Sequence, residues 1–257
     1  MREGRIAWPG PGGEPPGDGP VVRTRVGGYV CRLAHPMPDG ECRQLIASLA
    51  AHGAGRAATG NGNTLGGRAA IWRHEIPSLG PVVIKEYRRG GMLRFVRRRH
   101  YVRFRTARPE REFNNLRAAR ALGLNVPEPV ACFSRGVLFY RGWLATRLIT
   151  GRSLVDVVAA DIEALPTLMA DLTRQVGMLI GHRVAHVDLH PGNVLVDEGG
   201  RVYLLDFDRA VAFRKSAEEL RQHYDVRWRR AVEKHGLPGS LADQFSGGLS
   251  RLSLPGA

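Results

Sequence analysis

A chain of 257 residues with 43% hydrophobic side chains has the material for one large domain or two small lobes, so it is expected to be globular rather than disordered or fibrous. Its three cysteines, Cys31, Cys42 and Cys132, lack C-x-x-C spacing, which argues against a disulfide framework or a thiolate zinc site and fits a reducing, cytoplasmic compartment. A formal charge of +14 calls for something anionic nearby: a nucleic acid, a membrane surface or a phosphorylated substrate.

Residues 1–20, with "PGPGGEPPGDGP", combine turn formers with almost nothing to bury and read as a disordered tail. The N-terminus lacks a basic-then-apolar signal pattern. Every apolar run is broken by charge short of the roughly 20 residues that would cross a bilayer, so any membrane association is expected to be peripheral. "VRTRVGGYVCRL" alternates as one short strand, and behind a capping Asp39 the residues Cys42, Leu45, Ile46 and Leu49 recur at helical spacing. A glycine-rich turn, "GNGNTLGG", supplies Gly60, Gly62, Gly66 and Gly67, and leads through "RAAIW" and "PSLGP" into "VVIKEY", two antiparallel strands.

The next element, "PEREFNNLRAARALG", opens with Pro109 in its first turn and closes at Gly123, as a helix should. Glu112 shares a face with Leu116 and Ala119, whereas Glu110 is expected to point with Asn114 and Arg117 toward water. "VPEPVACF" and "GVLFYRGWLATRLI" read as strands. Leu168, Leu172, Val176 and Leu179 mark a buried helix that runs into "HVDLHPGN", the short strands "VLV" and "VYLLD", and a closing helix with Leu220, Tyr224, Trp228 and Val232. This order, mainly strands and then mainly helices, predicts an α+β chain of two lobes, 21–146 and 147–257.

"HVDLHPGNVLVDEGGRVYLLDFD" concentrates the carboxylates. A hairpin brings its ends together, so Asn193 before one strand and Asp206 after the next can converge on a metal ion, with Asp188 beside them. Such a group suits phosphoryl transfer, in which Mg²⁺ takes hard oxygen ligands and a separate carboxylate orients the attacking hydroxyl. Asp197 is read as a turn residue. Asp208 is read as a cap on the following segment, with a second metal as the alternative. His186 is expected to pack under the loop, and His190 either supports Asp188 or acts chemically.

The motif resembles the kinase catalytic loop H-R-D-L-x-x-x-N and its D-F-G metal motif, at the same five- and thirteen-residue intervals. On that resemblance Asp188 is the catalytic carboxylate and Asn193 and Asp206 are the metal ligands, while Lys85 holds nucleotide phosphates and pairs with Glu112. The glycines at 60, 62, 66 and 67 would let backbone amides approach the phosphates, although their spacing departs from G-x-G-x-x-G. "VVIKEYRRGG", the "VPEP" turn, "HVDLHPGNVLVD" and "LLDFDRA" together resemble the lipopolysaccharide kinase family, especially the kinases of 3-deoxy-D-manno-octulosonic acid (Kdo). The resemblance implies a protein-kinase-like fold, with a β-rich N-lobe and a short helical C-lobe, that uses Mg²⁺ and ATP to phosphorylate a sugar hydroxyl of the inner core on lipid A. It also implies a position on the cytoplasmic face of the inner membrane.

Between Lys85 and Arg111 eleven Lys or Arg residues stand against two Glu, about +9 in one segment. Its apolar interleaving around Arg97, Arg98 and Arg99 suits anionic headgroups and the lipid-linked acceptor. The same composition could hold RNA, although a nucleic-acid partner is not the reading preferred. Only 51 residues follow Asp206 and no A-P-E motif appears, which disfavours peptide acceptors. A heptose kinase, a small atypical protein or tRNA-associated kinase, and a nucleotide-binding scaffold remain the alternatives.

Overall fold

The computed structural model describes Trp8 and residues 20–53, 70–87, 101–102, 106–137, 139–160 and 165–252. It is a mixed α/β structure whose chain divides into two compact units. One comprises Gly17–Arg117 and Glu128–Leu148; the other comprises Met1–Pro16, Ala118–Pro127 and Ile149–Ala257.

The first unit is organised by an antiparallel sheet. Its strands are β1 (Val22–Val26), β2 (Tyr29–Leu33), β3 (Ala70–Ile76), β4 (Gly80–Glu86), β5 (Tyr101–Val102), β6 (Pro129–Arg135) and β7 (Phe139–Arg147). They are arranged β1-β2-β6-β7-β4-β3, with β5 added on β7. The stretch expected to be one strand is a hairpin. Gly27 and Gly28 take φ of 55° and 79°, the left-handed pair that a two-residue hairpin turn requires, and Val26 pairs with Tyr29 across it.

Helix α1 (Asp39–Gly53) begins with Asp39 inside its first turn, because the Cys42 amide donates to the Pro38 carbonyl and makes Pro38 the boundary. Its apolar stripe of Cys42, Leu45, Ile46 and Leu49 joins Tyr29, Trp72, Ile84, Phe133 and Trp143 in one core. Full burial of a leucine such as Leu45 or Leu49 is worth about 1.5–3 kcal/mol. His52 stacks on Trp72 at 4.3 Å, and the Trp72 indole donates to Ser48 Oγ at 3.4 Å, which sets α1 against β3. All three cysteines are free and buried, and burial pushes the Cys31 thiol up to about 12 and that of Cys132 up as well. Helix α2 (Arg108–Ala121) follows β5.

The second unit carries α3 (Leu154–Ala160), α4 (Leu165–Gly181), α5 (Ala217–Lys234) and α6 (Gly239–Ser250). Its strands are short: β8 (Gly151–Ser153), β9 (Val184–Ala185), β10 (Val194–Asp197), β11 (Val202–Leu204) and β12 (Val211–Ala212). They form a sheet β11-β10-β8 and a pair β12-β9. Leu168, Leu172, Val176 and Leu179 are buried on α4, as are Leu220, Tyr224, Trp228 and Val232 on α5. Ser216 caps α5 in a reciprocal box with Glu219, and Asp208 lies buried inside a 3-10 turn, Phe207–Arg209. Helix α6 follows what the sequence reads as the closing helix, and its Phe245 stacks on Trp228 at 4.6 Å. A Cβ on Gly248 would stand 2.7 Å from Thr173 Cγ2, so glycine there is what lets α6 lie close on α4.

Residues 118–127 group with these helices rather than with 21–146. Gln175, wholly buried on α4, explains why: its Oε1 accepts the Asn125 amide at 3.0 Å and its Nε2 donates to the Val202 carbonyl at 2.9 Å. The Leu204 amide donates in turn to the Asn125 carbonyl at 2.9 Å. Trp8, inside the stretch expected to bury almost nothing, is buried, with its ring 6.2 Å from that of Phe207. An indole carries enough apolar surface to anchor a chain that glycine and proline cannot. The other residues of 1–19 lie outside the described ones.

Candidate active site

Alternation along β4 buries Val82, Ile84 and Glu86 and leaves Lys85 half-buried on the opposite face. Two residues on, Tyr87 lies under the Lys85 ammonium, 5.2 Å from ring centre to Nζ. Lys85 Nζ donates to both Glu112 oxygens, at 3.2 and 3.0 Å, and the Tyr87 hydroxyl donates to Glu112 Oε2. Glu112 is 3% exposed, and these donors replace the water that its carboxylate loses on burial. On the other face, buried Glu86 pairs with Arg141 at 2.6 Å.

The side of α2 expected to point toward water does not do so. Glu110 does not face open water but pairs with Arg32 at 2.5 Å, and Asn114 and Arg117 are 5% and 7% exposed. Residues 112–119 are buried without interruption, so this helix has no solvated stripe from which to read a phase.

In the second unit the loop after β9 is held from beneath by α5. The Tyr224 hydroxyl accepts the His186 amide at 2.7 Å and donates to the Val184 carbonyl at 2.9 Å. His186 is buried; its Nε2 donates to the Leu205 carbonyl at 2.9 Å, and its ring meets Phe207 edge-on at 4.5 Å. Burial pushes its pKa down, so the imidazole is neutral and packs under the loop. His190 caps the 3-10 turn Pro191–Asn193, its Nδ1 accepting the Gly192 amide at 3.1 Å, and its ring stacks on His235 at 5.5 Å. Burial, and then the neighbouring His235, lower its pKa.

Asn193 enters β10, whose Val194 pairs with Leu204 of β11, and the Leu205 amide donates to the Asn193 carbonyl at 2.9 Å. Asp206, the next residue, adopts φ 62° and ψ 63°. That left-handed conformation costs an L residue other than glycine about 1–2 kcal/mol, and strain of this kind gathers where a side chain must be aimed. Asn193 Nδ2 donates to the Asp188 carbonyl at 2.8 Å, which leaves its Oδ1 as the acceptor end. Asp197 accepts the amides of Gly199 and Arg201 at 3.0 and 2.8 Å, as a turn residue does.

The Asp188 carboxylate is partly exposed and has two guanidinium groups near Oδ1, Arg209 at 3.4 Å and Arg227 at 3.7 Å. An amide oxygen on Asn193 and a carboxylate on Asp206 are hard, oxygen-only donors. They fit Mg²⁺, which takes one or two protein oxygens and fills its shell with water and phosphate. Among the described residues no three His, Cys, Asp or Glu gather as a transition-metal cage would need.

Gly60, Gly62, Gly66 and Gly67, and Arg97, Arg98 and Arg99, lie outside the described residues. Sequence reasoning missed Tyr87, Arg209, Arg227 and the hydroxyl of Tyr224. Helical spacing marks Tyr224 only as an apolar position and carries no signal of what its hydroxyl bonds.

Residues 65–234 match the model of the lipopolysaccharide kinase (Kdo/WaaP) family. A 3-deoxy-D-manno-octulosonic acid kinase of Xanthomonas campestris pv. campestris (strain B100) is 36% identical over 174 residues, 66% of this chain and 68% of the relative. The enzyme of that name from Xylella fastidiosa (strain M23) is 35% identical over 178 residues, with the same shares. That from Vibrio vulnificus (strain CMCP6) is 27% identical over 183 residues, 68% of this chain and 74% of the relative.

Proposed function

The chain belongs to the lipopolysaccharide kinase (Kdo/WaaP) family, and on that premise we propose that it transfers the γ-phosphoryl group of ATP to a hydroxyl of Kdo in the lipopolysaccharide inner core. It is thus a phosphotransferase with an alcohol acceptor, like the relatives that carry that name. The sheet unit serves as the nucleotide-binding lobe of a kinase-like fold and the helical unit as its catalytic lobe.

The observation that carries this reading is the junction of Asp188, Asn193 and Leu205: one side-chain bond and one backbone bond bring a carboxylate, an amide oxygen and the strained Asp206 into a single loop cluster. Asp188 orients the acceptor hydroxyl and receives its proton as the oxygen attacks. Asn193 and Asp206 would hold Mg²⁺, which when bound would neutralise charge on the phosphates. Lys85, fixed by Glu112 and Tyr87, contacts the nucleotide phosphates. His186 and Tyr224 keep the loop backbone in place. The basic segment with Arg97, Arg98 and Arg99 attaches the protein peripherally to the anionic cytoplasmic face of the inner membrane; among the described residues no helix is long and apolar enough to cross one.

The test is direct. The purified protein is incubated with Mg-ATP and, separately, a Kdo-bearing lipid A precursor, heptosylated core, a generic protein and tRNA. Transfer to the Kdo precursor is the expected result. Transfer only to heptosylated core, to protein or to tRNA would replace the acceptor named here.

A further inference from the structure

Arg209 and Arg227 reach Asp188 Oδ1 from two separate elements, the 3-10 turn that follows Asp206 and helix α5. Their separations of 3.4 and 3.7 Å exceed the roughly 2.7–2.9 Å of a charge-assisted hydrogen bond, so these are loose ionic contacts. Two guanidinium groups thus stand against a single oxygen of the group that receives the proton. Their side chains stay 59% and 36% exposed. Each is a planar fork with more donors than a single carboxylate oxygen can use. Arg227 is moreover placed firmly, because Tyr224 and Trp228 on the same helix are fully buried and Tyr224 is tied to the loop that carries Asp188.

A carboxylate base creates a difficulty for an acidic acceptor: the two negative charges repel as the sugar approaches. Guanidinium at the base removes that difficulty and matches the carboxylate geometry of a sugar acid. We propose that Arg209 and Arg227 form the subsite that binds the carboxylate of the acceptor sugar, an inference that rests on the reading of Asp188 as the proton acceptor. As the acceptor arrives, the guanidinium groups engage its carboxylate, and Asp188 Oδ1 becomes available to the hydroxyl. Neutral sugars gain nothing from the pair, so it sets specificity as well as position.

The test compares the Kdo-bearing precursor with its carboxamide, which keeps the shape and removes the charge. The wild-type protein is expected to favour the acid by about tenfold or more in kcat/KM, the scale of a hydrogen bond to a charged group. R209Q and R227Q should each raise KM for the acid by about tenfold, and the double variant should treat acid and amide alike. An effect exerted only through Asp188 would instead lower kcat for both acceptors equally and leave their ratio unchanged. Binding of free Kdo and of its amide, measured by calorimetry without nucleotide, supplies a readout independent of turnover, and the R209K/R227K variant, with charge retained, should recover part of the preference. Wild-type discrimination and binding in a folded R209Q/R227Q protein would overturn the subsite while leaving the kinase reading intact. Arginine-dependent binding of Kdo without phosphorylation would overturn that reading and leave the subsite standing, and absence of both would remove both.

Discussion

Asn193 donates its side-chain amide to the backbone carbonyl of Asp188 across 2.8 Å, so the two residues are geometrically one unit although only Asp188 offers a base. The bond spans five residues and closes the loop, and it decides which end of the Asn193 side chain is the acceptor. It also separates two roles that deletion experiments can distinguish.

Asp188→Asn should lower kcat by about 10²–10⁴-fold, the usual worth of a positioned acid or base, with nucleotide binding retained. Asp206→Asn should act on the metal: asparagine tolerates the left-handed backbone, so the protein stays folded while the Mg²⁺ requirement rises. The rise should be at least the roughly 10- to 100-fold that loss of an outer partner of a metal ligand causes. Steady-state kinetics titrated in Mg²⁺ separates the two. Near-normal turnover by Asp188→Asn would refute its role.

Glu112→Gln should raise KM for ATP by about tenfold or more, because a charge-assisted acceptor shared by Lys85 and Tyr87 becomes a weaker neutral one. Glu110→Gln should leave ATP kinetics alone. Its pair with Arg32 is largely buried, so its removal should appear as a loss of stability in urea unfolding and not in ATP kinetics.

Tyr224→Phe removes one hydroxyl and leaves both the His186 amide and the Val184 carbonyl without that partner. Each buried group left unsatisfied costs about 1–3 kcal/mol. The expected outcome is a loss of that order in stability, together with slower turnover and an unchanged KM for ATP. A variant as stable and as active as the wild type would show that α5 does not support the loop.

Acid should destabilise the fold through His186. Burial lowers its pKa in the folded state below the ordinary 6.5, so the unfolded chain binds more protons below that pH. The stabilisation is complete above 6.5 and is lost as pH falls through the folded value; His74, His190 and His223, shifted in the same direction, add to it. Thermal unfolding followed from pH 7.5 down to about 5 should show a shallower decline for His186→Gln than for the wild type. Equal slopes would mean that His186 is not held neutral.

What could be read from sequence was what is local. Asp188, Asn193 and Asp206 were legible because a hairpin of a few residues determines their convergence, and the helical spacing of Leu220, Tyr224, Trp228 and Val232 marks one face of α5 wherever that helix packs. Asn114 and Arg117 were misread because a helix buried on all sides carries no solvated stripe, and phase arguments presume one. Arg209, from the 3-10 turn after Asp206, and Arg227, through packing of α5 beneath the loop, meet Asp188 across 21 and 39 residues, and no spacing rule reaches that far. Two- and three-residue strands such as β8 and β9 are likewise set by their partners, not by their own composition.

The buried thiols give the molecule a built-in clock. Cys31, Cys42 and Cys132 are the only cysteines in the sequence, and all three lie in the sheet unit. Only a thiolate reacts with an alkylating or disulfide reagent, and burial both shields these sulfurs and suppresses their ionisation. Modification therefore waits for the sheet to open. Because the helical unit carries no cysteine, the labelling rate times the opening of one half of the protein and is blind to the other. The same experiment repeated with nucleotide present reports whether ligand binding slows that opening.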